Sequence, residues 1–283
     1  MGVITERILH KSDTGAAALK TKGLLDPAGA AHRIRLARYA PCSELLPFVD
    51  YFWLVQWNLN GAPDQLQRVL PYPNAHLVFD QGQTAIHGVV RGAFERTVSG
   101  AGRVLGVRFT PGGLRPFIDV PLSRLTDQTM PVDQVLHMRG AEAEQRVLSQ
   151  HSDLDMVAAA EAMLLAVLPA PDPRGVLAAR AVQAAAAAGG PITAQALAAQ
   201  LGIEERSLQR LFSNYVGVSP KWVIQRFRLQ EASWRLAAPG RVALSALAAE
   251  LGFSDQAHFT RDFSKLVGQS PLAYWKSQQA PSV

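Results

Sequence analysis

The sequence predicts an α+β fold. An N-terminal antiparallel β-barrel or sandwich, with helices of its own, precedes an all-α domain of two helix-turn-helix units joined by a long helix. Three observations predict it. The segment Leu197-Ala198-Ala199-Gln200-Leu201-Gly202, followed by Phe212-Ser213, Gly217 and Ser219-Pro220, returns as Leu247-Ala248-Ala249-Glu250-Leu251-Gly252, Phe263-Ser264, Gly268 and Ser270-Pro271. Short alternating segments divided by turn residues fill the first half. Between the halves, Pro169-Ala170-Pro171-Asp172-Pro173 interrupts the chain.

In chain order, residues 1–33 read as an arm of scattered glycines and small residues. A sensor or dimerisation domain is expected over 34–168. Arg35-Leu36-Ala37-Arg38-Tyr39, His76-Leu77-Val78-Phe79 and Arg103 to Phe109 alternate as strands, with turns at Pro71-Tyr72-Pro73-Asn74, Gln81-Gly82-Gln83 and Pro111-Gly112-Gly113. Leu154, Val157, Ala158, Leu164, Leu165 and Leu168 then make a helical apolar stripe interrupted by Glu161. Such a helix either packs back on the strands or forms a dimer seam. The proline-rich stretch 169–175 reads as a linker.

Over 176–283 the spacing predicts helices near 176–188, 194–200, 205–215, 220–237, 243–250 and 255–265, and a last one from Pro271. Gly202 and Gly252 stand where the turn needs a left-handed residue. Ser254 is the expected N-cap of the second reading helix, and Pro220 and Pro271 suit first helical positions after a capping serine. The repeat offset is 50 residues at the start and 51 from Phe212 and Phe263 onward, so one copy carries an extra residue.

Charge follows the same division. Of 28 Lys+Arg and 23 Asp+Glu, residues 176–283 hold 11 and 6, and the other 175 residues hold 17 of each. The excess positive charge lies in the repeated region, as contact with phosphates requires. On the two reading helices Leu208, Leu211, Phe212, Phe259, Phe263 and Leu266 face inward. The opposite faces carry Arg206, Ser207, Gln209, Arg210 and Asn214, and Gln256, Ala257, His258, Thr260 and Arg261. Arg reads guanine, Gln reads adenine, and Ala or Thr methyls meet thymine.

The segment Ala248 to Trp275 resembles the signature of AraC/XylS-type transcription regulators, through Gly252-Phe253-Ser254-Asp255, Phe259, Arg261, Phe263, Gly268, Ser270-Pro271 and Tyr274. The resemblance covers about residues 176–278. It implies two reading helices in successive major grooves, roughly 34 Å apart, with Arg206, Gln209 and Arg210 at base-reading positions of the first unit. Gln256, Ala257, Thr260 and Arg261 fall at those of the second. Glu204 and Glu205 depart from the pattern, so unequal contributions of the two units are expected. Tyr51-Phe52-Trp53, Leu70-Pro71-Tyr72-Pro73 and Gly106 to Gly113 resemble an uncharacterised domain that precedes such modules, where the family places an effector-binding or dimerising sensor.

Double-stranded DNA is the expected partner, with RNA polymerase, a small-molecule effector and a second copy of the chain as further ones. Trp53, Trp57, Tyr72 and Phe109 are candidates to line an effector pocket, the alternative being that they are core. Arg108 is a candidate to hold an acidic ligand or to pair structurally. A constitutive regulator whose N-terminal domain only dimerises is the rival. A DNA-repair fusion lacks its Pro-Cys-His nucleophile, and a single cysteine, Cys42, excludes a four-cysteine metal site. His76 and His87 lack metal-ligand spacing. No enzyme motif, cofactor, metal or membrane span is expected, and a cytoplasmic location is.

Overall fold

The computed structural model describes residues 33–188, 191–240 and 242–279; the expected arm, Arg33 apart, lies outside them. Strands β1 (Ile34–Tyr39), β2 (Val49–Asn58), β3 (Gln65–Val69), β4 (His76–Phe79), β5 (Ala85–His87), β6 (Phe94–Val98), β7 (Ala101–Phe109) and β8 (Thr129–Met130) come first. Helices α1 (Asp133–Leu136), α2 (Gly140–Leu148) and α3 (Asp153–Ala166) follow them. Six strands form one antiparallel sheet in the order β1-β2-β7-β4-β5-β8, and β3 and β6 pair as a separate ribbon.

The antiparallel sheet domain with helices of its own is as expected, but it is not a closed barrel. The sheet is open, with β1 and β8 at its two edges. Helices rather than strand closure cover its inner face. Along β2, β4 and β7 the inward residues Phe52, Leu54, Leu77, Leu105, Val107 and Phe109 are fully buried, and Met156, Val157, Ala160, Met163 and Leu164 of α3 join the same core. Helix α3 therefore packs back on the sheet. Its charged interruption, Glu161, accepts a hydrogen bond from the backbone N–H of Cys42 at 2.7 Å, and Ser152 caps its start by accepting from the N–H of Asp155.

The other face of the sheet carries Tyr51, Trp53, Trp57, His76 and Arg108. Trp53 stands opposite Gly106 and Trp57 opposite Gly102. A Cβ on either glycine would meet indole atoms at 2.0 and 2.4 Å, so the glycines of β7 let both rings lie across the strand. Trp53 Nε1 donates to His76 Nδ1 at 3.1 Å.

Burial, reinforced by the Arg108 cation, pushes the His76 imidazole down to about 3. The unfolded chain takes up that proton near pH 6.5 and the folded chain does not. Stability is thus full above about pH 6.5 and falls as the pH drops toward about 3, by at most about 1.4 kcal/mol per pH unit. Urea denaturation across this range should show a shallower fall for His76→Gln than for the unsubstituted chain. Parallel profiles would mean that His76 takes up its proton equally in both states.

The second half consists of α4 (Pro173–Ala187), α5 (Ala194–Gln200), α6 (Glu205–Leu211) with a π-helical turn over Phe212–Val216, α7 (Pro220–Ala237), α8 (Leu244–Glu250), α9 (Gln256–Val267) and α10 (Pro271–Gln279). Asp172, Thr193 and Ser219 cap α4, α5 and α7 through their side chains. Helix α4 starts three residues earlier than expected because Asp172 caps it and Pro173 takes its first position. The N-terminal half of α7 (Val223, Ile224) belongs to one core with α4, α5 and α6. Its C-terminal half (Leu229, Ala232, Leu236) belongs to another with α8, α9 and α10.

The sheet domain touches both helical cores. Val89 is buried in the first and Leu70 in the second. Below the π-helical turn, Thr126 Oγ1 donates to the carbonyl of Gly217 at 2.5 Å. Arg226 of α7, only 2% exposed, donates through Nη2 to the carbonyls of Val90, Arg91 and Gly92. Arg68 of β3 reaches the carbonyl of Val267 at the end of α9.

Candidate nucleic-acid interface

Two pairs of helices, α5 with α6 and α8 with α9, follow from the local chemistry. In each, the chain leaves an alanine-rich helix through a left-handed glycine, Gly202 at φ +68° and Gly252 at φ +75°, and enters a second helix whose apolar stripe is buried. Leu208, Leu211 and Phe212 supply that stripe in α6 and its π-helical turn; Phe259, Phe263 and Leu266 supply it in α9. The extra residue of the second copy lies between Gly252 and the N-cap Asp255, against Gly202 and the N-cap Glu204 in the first. Asp255, rather than Ser254, caps α9 by accepting from the backbone N–H of His258 at 2.7 Å, the contact that holds its carboxyl below the usual range. Glu204 makes no side-chain cap.

The outward faces are open. Arg206, Gln209, Arg210 and Asn214 are exposed on the first unit, with Ser207 half-buried; Gln256, Ala257 and Arg261 are exposed on the second, with His258 and Thr260 half-buried. In the first unit Gln209 donates to Glu205 at 3.3 Å, and Arg210 leans on Ser207 at 3.5 Å. In the second, His258 is held between Ser254 and Asp262, at 3.1 and 3.0 Å. Asp262 also accepts from Gln225 of α7, which fastens α9 to the long helix.

Gln225, Asp262 and Arg228 were not singled out by the sequence. Arg228 of α7 donates to the carbonyls of Gly252 at 3.2 Å and Ile192 at 2.8 Å, tying the turn of the second unit to the start of the first. Gly252 has a second reason to be glycine: a Cβ there would meet the Pro191 ring at 2.5 Å. Helix α9 and the segments that precede α5 and α9 are thus tied to α7 by its polar side chains.

The five effector candidates do not share one pocket. Phe109 is fully buried in the core, edge-on to Phe117 at 5.9 Å. Trp53, Trp57 and Arg108 lie on the outer face, where Trp57 donates to the Ser99 carbonyl and sits under Arg96. Arg108 is spent on protein groups: it donates to Tyr51 Oη and Asn74 Oδ1 and pairs with Asp50. Its guanidinium lies 4.8 Å from the Tyr72 ring, whose centroid is 5.9 Å from that of Phe227 in α7. Tyr72 alone of the five reaches the helical domain's long helix.

Among the described residues no group of three or more His, Cys, Asp or Glu is placed to hold a metal, and no helix is long and apolar enough to cross a membrane. Residues 197–277 match a family described as a helix-turn-helix domain, and residues 37–131 match a domain of unknown function, DUF6597. Among solved structures, the chain is similar to a probable AraC family transcriptional regulator from Rhodopseudomonas palustris CGA009, at 28% identity over 37% of this chain and 99% of that one, with a TM-score of 0.35. It is also similar to ToxT from Vibrio cholerae, at 10% identity over 88% of this chain and 99% of that one, with a TM-score of 0.37. The DNA-binding domain of AdpA, solved in complex with a target DNA, matches 38% of this chain and 92% of its own at 23% identity, with a TM-score of 0.31. The C-terminal half thus carries a segment of a helix-turn-helix domain family, behind an N-terminal domain of unknown function.

Proposed function

We propose that α6 and α9 enter successive major grooves on one face of a DNA duplex and read its base edges. Arg206, Gln209 and Arg210 would do so from the first unit, and Gln256, Ala257, Thr260 and Arg261 from the second. Ser207 and His258 orient the neighbouring arginine and the helix start. The observation that carries this is the pair of exposed polar helix faces held in one orientation by α7, Arg228 and Asp262. The first unit is the weaker reader in this proposal, because Glu205 already engages Gln209 and adds negative charge near the phosphates. Residues 34–168 act as the control domain of a cytoplasmic regulator, and a small-molecule effector acts through the contacts that this domain makes with both units. Tyr72 supports that route, lying between Arg108 of the sheet and Phe227 of α7.

Selection of bound sites from random duplex DNA with the full chain tests the reading. A two-part motif with centres about 10 base pairs apart is the expected result. Only salt-labile binding without sequence enrichment would refute it. Once an operator is known, a ligand that raises the melting temperature and shifts operator affinity separates effector control from the constitutive alternative.

A further inference from the structure

The face of α6 proposed to read DNA does not end with the helix. Ser213 is exposed seven residues beyond Arg206, about two turns along the same side. There the sheet domain meets it: Ser123 Oγ lies 3.3 Å from Ser213 Oγ. Ser123 belongs to the 3₁₀ turn Leu122–Arg124, and Ser123, Arg124 and Ser213 are all exposed.

This turn is firmly placed. Leu122 and Leu125 are buried on either side of it, and Thr126 Oγ1 donates to the carbonyl of Gly217. Gly217 has φ +96°, and a Cβ on it would come within 3.0 Å of the Leu122 carbonyl oxygen. Glycine is what lets the two segments close.

Arg124 differs from most arginines of its domain. Residues 34–168 contain eleven arginines and no lysine. Six pair with an Asp or Glu, two donate to backbone carbonyls, and Arg38 lies over the Tyr51 ring. The side chains of Arg124 and Arg139 have no hydrogen-bond or ion-pair partner among the described residues. Asp127, three residues after Arg124, is taken by Arg91. One uncompensated cation of the sheet domain thus borders the end of α6.

At its other end the first unit carries Glu204 and Glu205, both exposed, so it is short of positive charge for phosphates. Arginines and serine hydroxyls both make phosphate contacts. We propose that the sheet domain itself binds DNA: Arg124, with the hydroxyls of Ser123 and Ser213, holds one backbone phosphate beside the half-site read by α6. A phosphate oxygen accepts from the two hydroxyls while Arg124 supplies the charge. The proposal rests on α6 entering the groove. It makes the first unit's grip on phosphate a joint property of both domains.

Titrations of the full chain against a random-sequence duplex and against the selected operator, over a range of salt, test it. Arg124→Ala is expected to bind about 3- to 10-fold more weakly at about 0.1 M salt, and to reduce the slope of log affinity against log salt by about one. Base preference should stay as in the natural chain. Arg124→Lys should keep most of the affinity, and Arg124→Glu should lose more than the alanine variant. Arg139→Ala is the control: Arg139 stands before α2, which packs on β4, β7 and α3, and its loss should change neither quantity. Replacing single operator phosphates by neutral methylphosphonates locates the contact, since one position should weaken the natural chain and leave Arg124→Ala unaffected. An unchanged salt slope in Arg124→Ala, an equal loss in Arg139→Ala, or no phosphate whose neutralisation depends on Arg124 overturns the proposal. A failure of base reading shows separately, as no sequence enrichment in the selection, and leaves the random-duplex titration to judge Arg124.

Discussion

Arg226→Ala is expected to lower the unfolding free energy of the full chain by about 3 kcal/mol and to loosen the sheet domain from the long helix. Burial pushes the Arg226 guanidinium down to about 10, so keeping the charge inside costs roughly 3 kcal/mol at neutral pH. The structure offsets this with charge-assisted bonds from Nη2 to three carbonyls, at 3.3, 2.9 and 3.3 Å, and with stacking on Trp222 at 4.7 Å. Truncation removes the cation but leaves three carbonyls facing a void between two domains. Arg226→Met, which restores the stem without the donors, should recover about half of the loss. Denaturant unfolding measures the energy, and hydrogen exchange over residues 88–94 locates it. A loss under about 1 kcal/mol for the alanine variant, with unchanged exchange, would show that desolvation cancels what the bonds contribute.

Arg261→Ala is expected to weaken operator binding by about 10- to 100-fold, equivalent to ~1–3 kcal/mol, and to relax base preference at one position of the second half-site. Arg261 stands exposed on α9, nearly two turns after the Asp255 cap, on the helix whose Phe259 and Phe263 are buried. Arg261→Lys should fall between the two, since lysine keeps the charge but not the bidentate fork. Arg206→Ala should cost less, because its unit carries Glu204 and Glu205 beside the reading face. Gel-shift titrations at matched salt measure all three. Equal affinity for the natural chain and the Arg261→Ala variant would remove α9 from base reading.

The helical half was legible to within a few residues because its signals are local. Capping side chains, prolines at first helical positions and left-handed glycines each act over one turn, and the repeat doubled them. Ser254 and Asp255 are both capping residues in neighbouring positions, so the one-residue error there was a choice between near equals. Closure of the sheet has no such local sign. Strand β2 reads Val49-Asp50-Tyr51-Phe52-Trp53-Leu54-Val55 without alternation, since aromatic rings cover its outer face while Phe52 and Leu54 fill the core. The polar residues of α7 were missed for a related reason. Arg226 meets carbonyls more than 130 residues away in sequence, and a helix packed on several sides shows only mixed spacings.

Most of the polar joints between these segments have one form: a side chain on one partner and a backbone carbonyl on the other. Arg226 takes those of Val90, Arg91 and Gly92; Thr126 takes that of Gly217; Arg68 takes that of Val267; Arg228 takes those of Gly252 and Ile192. A carbonyl is the same whatever residue bears it. The accepting segments are therefore free to change their side chains while the joint persists, and the constraint falls on four donors. The sheet domain and the helical domain can drift apart in sequence as long as Arg226, Thr126 and Arg68 and the backbone paths that receive them are kept.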